Sequence, residues 1–193
     1  MFSNYYLKEL VDAINNINHI KIEKIVDLLI RLKKTNGRLF IVGVGGSAAN
    51  ASHAVNDFRK LCNIDAISPV DNFSEFTATT NDQGFEFAFT ESLKVSKINK
   101  KDVLLVMSVG GGSIKKKSSI GLINAIKLAK SKKCKIISFT GKKDGYAGIN
   151  SDMNINCKIK QKSFLTPCSE SLQVIIWHCL VTHPRLQSRK TFW

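Results

Sequence analysis

The sequence predicts an α/β protein built on a parallel sheet with helices on both faces. Three observations predict it. Strands of continuous apolar character, at residues 38–42, 102–107 and 135–139, are of the kind buried on both faces of a sheet. Segments with helical spacing lie between them. Two glycine-rich turns, around Gly45-Gly46-Ser47 and Ser108 to Ser113, follow strands directly. In such sheets ligands bind outside the carboxyl ends of the strands.

The elements follow in order. Residues 4–34 read as one long helix or two, with Leu7, Leu10, Val11, Ile14 and Ile17 at helical spacing, then Ile22, Ile25, Val26, Leu29, Ile30 and Leu32. No residue there carries chemistry, so the segment 1–36 is expected to be a packing arm and an oligomer surface. Asn36-Gly37 ends it. A strand over 38–42 leads to a helix over 48–62 and a short strand over 65–68. Helical patterns cover 74–80 and 85–96. The strand 102–107 precedes a helix over 120–131, and the strand 135–139 precedes a weaker one over 153–159. A last helix runs over 169–181. No repeat, low-complexity linker or domain boundary interrupts 1–193, which reads as a single domain.

The chain has 193 residues, 44% of them hydrophobic, enough for one well-filled core. No apolar run reaches the roughly 18 to 20 residues of a membrane span. The first residues lack a basic stretch followed by an apolar one, so no secretory signal is expected. The five cysteines, Cys62, Cys134, Cys157, Cys168 and Cys179, are scattered and form no CxxC. Reduced cytoplasmic thiols are the expectation. The net charge of +14 raises nucleic acid as a partner. The lysines are spread along the chain and not interleaved with aromatics, so a solvated basic exterior that attracts anionic metabolites is the better reading.

Four segments can do chemistry. The turn Val44-Gly45-Gly46-Ser47 offers close backbone approach and the unpaired N–H groups of a following helix to an anion. It lacks the dinucleotide fingerprint and the Gly-Lys-Ser/Thr of a Walker loop. The loop Ser108-Val109-Gly110-Gly111-Gly112-Ser113 is either a flexible connection or a cradle of backbone N–H groups and hydroxyls for a phosphate. His53 and Asp57 stand at i and i+4 on one helix. Glu170 and His178 stand at i and i+8 on another. Two imidazoles and two carboxylates suit a divalent ion of the zinc, iron, nickel or cobalt type, or serve as general acid and base without metal.

In order and rough spacing, these segments, with Asn81-Asp82-Gln83-Gly84-Phe85 and Phe139-Thr140-Gly141-Lys142, resemble sugar isomerase (SIS) domains, phosphoheptose isomerase branch, over nearly the whole chain. The resemblance implies a three-layer sandwich with a five-stranded parallel sheet flanked by helices, an N-terminal helical arm and a homotetramer. It implies isomerisation of sedoheptulose 7-phosphate to a heptose 7-phosphate that feeds surface polysaccharide. It implies one divalent metal, zinc above others, on His53, Asp57, Glu170 and His178, with Asp57 and His178 as acid and base. Substrate contacts would fall on Val44, Gly45, Gly46, Ser47, Asn81, Asp82, Ser108, Val109, Gly110, Ser113 and Glu170. The chain departs from the family pattern in having Asp57 for a glutamate, Glu170 for a glutamine, Val44 for an asparagine, and Val109 and Gly110 for hydroxyl residues. The rival expectation is a non-catalytic SIS protein that binds a phosphosugar or a protein partner, as replication-initiator-associating tetramers do. Neither reading calls for nucleic acid or a membrane. Arg59 and Lys60 read as solvated surface or as contacts to a neighbouring subunit's phosphate. Trp177 reads as core, Cys168 as a buried thiol or a metal ligand, and the stretch 189–193 as a cap on a subunit interface.

Overall fold

The structure is a computed structural model and describes residues 1–190. The last three residues of the expected interface cap, 191–193, lie outside the described residues.

The N-terminal helical pattern resolves into two helices, α1 (Phe2–Asn15) and α2 (His19–Lys34). The break falls at Asn16 to Asn18, where the Asn18 side chain caps α2 by accepting from the Lys21 N–H. Then come β1 (Arg38–Gly43), α3 (Gly46–Cys62), β2 (Asp65–Ile67), α4 (Phe73–Gln83) and α5 (Phe85–Val95). After them follow β3 (Val103–Ser108), α6 (Ile120–Ser131), β4 (Lys135–Thr140), α7 (Tyr146–Asn150), β5 (Met153–Asn156) and α8 (Leu165–Val181). The short helix α7 is not legible in the hydrophobic pattern. The expected strand 153–159 stops at Asn156. The last helix begins four residues earlier than expected, with Pro167 in its first turn, where its missing N–H costs nothing.

The five strands form one parallel sheet in the order β2-β1-β3-β4-β5. Alternate residues of each strand enter different cores. Leu39, Ile41, Val103, Leu105 and Met107 pack under α1, α2, α3 and α8. Phe40, Val42, Leu104 and Val106 pack under α5, α6 and α7. Both faces are covered, which is why the strands read as unbroken apolar runs. At the amino-terminal end, the nearly buried Asp102 ties Arg38 to the start of β3, at 2.8 Å from Arg38 Nη2.

Residues 162–181 make one helical stretch long and apolar enough to cross a membrane by length and composition, counter to the expectation that none would. Half of it is buried inside the protein, with Leu172, Ile176, Trp177 and Leu180 in the core beneath it, so it is a core helix here. All five cysteines are free. Burial pushes the Cys62 and Cys157 thiols up to about 12 and the Cys134 thiol up to about 11.

The chain leaves β1 toward β2 on one side, and β3 lies on the other. The carboxyl ends of β1 and β3 therefore form a topological switch point, the crevice where open α/β sheets bind ligands. Both glycine-rich turns open there.

Candidate active site

Helix α3 leaves the first turn and packs against α8. Their shared seam brings His53 and Asp57 of α3 to His178 of α8. Asp57 Oδ2 lies 3.5 Å from His53 Nε2 and 3.3 Å from His178 Nε2. One ligand atom from each of these residues lies within 4.8 Å of the others. The imidazoles cross edge to face with centroids 5.6 Å apart. They are half open to solvent, while the Asp57 side chain keeps 13% of its exposure. A buried carboxylate needs donors. Trp177, itself fully buried, donates its Nε1–H to Asp57 Oδ2 at 3.0 Å, and Asn56 Nδ2 donates to Oδ1 at 3.2 Å. Trp177 is thus core, as expected, and also holds the carboxylate in place.

Glu170 does not join this group, a correction to the expected four-residue ligand set. Eight residues are about 12 Å along a helix axis, so Glu170 and His178 reach different turns of α3. The Glu170 carboxylate lies over Gly46, where an added Cβ would meet Oε2 at 2.5 Å. The backbone of Glu170 accepts from Asn50 Nδ2 at 3.0 Å. A carboxylate at the start of α3 complements the positive end of that helix, the place expected to receive an anion. Ser47 can offer a substrate its backbone N–H but not its hydroxyl. Its side chain is buried, and its Oγ accepts from Gln173 Nε2 at 3.1 Å, while Gln173 Oε1 accepts from Asn50 Nδ2 at 2.9 Å. Asn50 and Gln173, which lock α3 to α8, carry no motif signal and were not legible in the sequence. Gly45 sits at φ +63° with open space around it, and Val44 is partly exposed.

The second turn is built differently. Ser108 Oγ accepts the Gly111 N–H at 3.0 Å, and Gly111 and Gly112 take φ of +71° and +81°. The loop is zipped to α7: the Ala147 N–H donates to Gly111 O at 2.8 Å and the Tyr146 N–H to Gly112 O at 2.9 Å. It is therefore an ordered turn, not a flexible connection. Ser113 pairs with Ser118 as a small antiparallel bridge that carries Lys115-Lys116-Lys117 at its tip, and its Oγ accepts the Lys116 N–H at 3.2 Å. Both serine hydroxyls accept here, which leaves each O–H free to donate. Gly110 is exposed, and nothing stands within 4 Å of where its Cβ would be. A cavity of about 330 Å³ opens beside Gly110 and Ser113, with Lys116 and Lys142 on its walls. Asn81 and Asp82 are exposed at the end of α4, joined to each other at 2.8 Å. Among the described residues no hydrogen bond links them to the cluster or to the loop.

A family model described as SIS domain matches residues 4–141. The chain belongs to the SIS domain family. Among curated relatives, lincomycin biosynthesis protein LmbN of Streptomyces lincolnensis is 32% identical over 159 residues, covering 79% of this chain and 58% of that protein. This SIS chain thus spans little more than half of LmbN. The phosphoheptose isomerase of Helicobacter hepaticus is 29% identical, covering 82% of this chain and 78% of that one. The probable phosphoheptose isomerase of Thermoplasma acidophilum is 28% identical, covering 93% and 96%. Among solved structures, phosphoheptose isomerase from Neisseria gonorrhoeae superposes with a TM-score of 0.79 at 20% identity, covering 93% of each chain. The sheet order and flanking layers are those of the SIS fold.

Proposed function

We propose that this SIS protein is an aldose–ketose isomerase acting on a phosphorylated sugar, with sedoheptulose 7-phosphate and the heptose 7-phosphate as its pair. The coarse part of this reading, a phosphosugar isomerase, rests on kinship with curated proteins named phosphoheptose isomerase. The observation that carries it is the convergence of His53, Asp57 and His178 on the seam between α3 and α8. A module that only bound a partner would have no use for a carboxylate held by an indole N–H between two open imidazoles.

The reaction moves a proton from C1 of the ketose to C2. One group removes the C1 proton as an enediol forms, and the second moves a proton between the C1 and C2 oxygens. The carbon then reprotonates at C2, which leaves the aldehyde at C1. Asp57 and His178 are the two groups. Trp177 keeps Asp57 aimed into the site through its N–H. The phosphate end of the sugar lies toward the ordered turn, where the Ser108 and Ser113 hydroxyls and the Gly110 backbone hold it and orient the carbonyl end. Val109 and Gly110 bring no hydroxyl, and the adjacent cavity, lined by Lys116 and Lys142 against the single carboxylate of Asp144, supplies a net positive charge in their place.

His53, Asp57 and His178 also fit a divalent cation. Two imidazoles and a carboxylate within 4.8 Å make a three-ligand set with room for an open position, and Trp177 orients the carboxylate from behind. Zinc is the ion we propose. When bound it polarises the sugar carbonyl. The exposed apolar residues Phe2, Tyr5, Leu7 and Val11 on α1 support a homotetramer as the working assembly. The heptose product would feed surface polysaccharide.

The test is product formation on sedoheptulose 7-phosphate, with fructose 6-phosphate in parallel and with zinc removed and restored. Aldose appearing from the heptulose alone supports the reading. Turnover of the hexulose only would move the substrate, and turnover of neither would favour a binding protein.

A further inference from the structure

A second pocket lies at the sheet edge formed by β5; it shares Ile149 with the cavity beside Gly110 but none of its charged residues, and none of the His53, Asp57 and His178 cluster. It is a cavity of about 390 Å³ between the α1–α2 junction and the segment that follows β4. That volume is in the range of small-molecule sites. Three lysines line it: Lys21 from α2, Lys143 from the segment after β4, and Lys158 from just beyond β5. No carboxylate is among its lining residues, and among the described residues neither Lys143 nor Lys158 has a carboxylate within ion-pair distance. The remaining polar lining is amide, from Asn16, Asn18, Asn154 and Asn156.

Asn154 is set as a donor. Its Oδ1 is taken by two buried hydroxyls, Thr140 Oγ1 at 3.0 Å and Ser138 Oγ at 3.2 Å. Its Nδ2 has no partner among the described residues and lies 3.1 Å from where a Cβ of Gly148 would stand. Gly148 therefore keeps that amide uncovered. The Asn154 backbone carbonyl accepts from Lys21 Nζ at 2.8 Å, which holds this ammonium at the pocket with two of its hydrogens free. Asn156 is fully used. It donates to Thr140 O and Gly141 O at 3.1 Å each, and its Oδ1 accepts the Lys158 N–H at 3.2 Å, so it sets the turn that carries Lys158.

Three ammonium groups and a free amide donor around one cavity, without a carboxylate, repel one another until an anion enters. We propose that this pocket is a binding site for a phosphate dianion, free or carried on a small metabolite, separate from the candidate active site. Lysines bind phosphate as point charges, and Asn154 Nδ2 gives the directional hydrogen bond. The two cavities meet at Ile149 but draw on different lysines, so an anion here has its own set of charges.

The test is a titration of the isotope-labelled full chain with inorganic phosphate at low ionic strength, followed by NMR, with sodium chloride at matched ionic strength as control. The expected result is a saturable shift of the Asn154 side-chain amide and the Gly148 backbone amide, on a curve of its own beside any response at Gly110 to Ser113. The Lys143→Gln/Lys158→Gln variant should weaken it by roughly tenfold or more. Lys143→Arg should keep it. Glycerol 3-phosphate, run in parallel, binds more tightly than inorganic phosphate if the ligand is a metabolite and equally if it is the free ion. Shifts reproduced by chloride, shifts without saturation, or an affinity unchanged in the double variant of a chain that still folds would each overturn the proposal.

Discussion

The two glycine-rich turns look alike in sequence and differ in construction. The first, at β1, hands over to α3, and its helix start is already covered by the protein's own Glu170 carboxylate. Its chemistry comes from side chains further along α3 and on α8. The second, at β3, is backbone laid on backbone: Gly145 lies so close to the loop that a Cβ there would meet Gly110 O at 2.1 Å and Gly111 Cα at 2.8 Å. It leaves an open surface with hydroxyls and lysines. The lesson is that a Gly-Gly-Ser signature announces close approach but not what approaches. At the first turn it is a carboxylate, at the second another loop.

Substitutions can break this contrast. Gly145→Ala should cost about 3 kcal/mol of unfolding free energy, since neither Gly110 nor Gly111 can withdraw without opening the bonds to α7. Gly110→Ala, in open space and without a positive φ, should cost well under about 1 kcal/mol. Urea denaturation of the two variants reads the difference, and equal costs would remove the backbone-packing account of the second turn. On the side-chain half, Trp177→Phe should lose about 2 kcal/mol because Asp57 Oδ2 is left without its donor in a buried setting. It should also lower kcat more than it raises KM, because the carboxylate loses its aim.

A smaller change sharpens the comparison. Glu170→Gln removes the negative charge at the start of α3. It should lower KM for a phosphorylated sugar about threefold, a gain of under 1 kcal/mol that reflects relief of repulsion across solvent. An unchanged KM in steady-state assays would mean the phosphate never comes near the first turn.

The smallest effect concerns the far end of α7. Burial raises the Asp152 carboxyl, but Lys135 Nζ at 2.6 Å and the Ile136 N–H at 2.9 Å outweigh it and hold the group below the usual carboxylate range. Its contribution is therefore present above the unfolded pKa of about 3.9 and lost as pH falls through the lower folded value. The stability difference between the native chain and Asp152→Asn should be visible at pH 6 and vanish as the pH is lowered below that range. A difference that persisted in acid would assign it to packing.

Much of this was legible because periodicity reports burial. The unbroken apolar strands at β1, β3 and β4 could only lie in a parallel sheet covered on both faces. The i, i+4 spacing of His53 and Asp57 survives folding because one helix turn fixes it. The i, i+8 spacing of Glu170 and His178 did not predict a shared site, since the axial rise separates them and only the packing of α8 on α3 decides which turn each meets. Asn50 and Gln173 were invisible for the same reason, as ordinary polar residues whose meaning lies in a helix–helix seam. The helix α7 is too short to carry a period, and the lysines of the β5 pocket come from three separate segments.

The most direct measurement is NMR of sedoheptulose 7-phosphate in D2O with the native chain and with Asp57→Asn. The account predicts deuterium entering the sugar carbon beside the carbonyl as the aldose appears, with a loss of about 10²- to 10⁴-fold in the variant. Exchange at the native rate in Asp57→Asn, or none with the native chain with and without zinc, would contradict it.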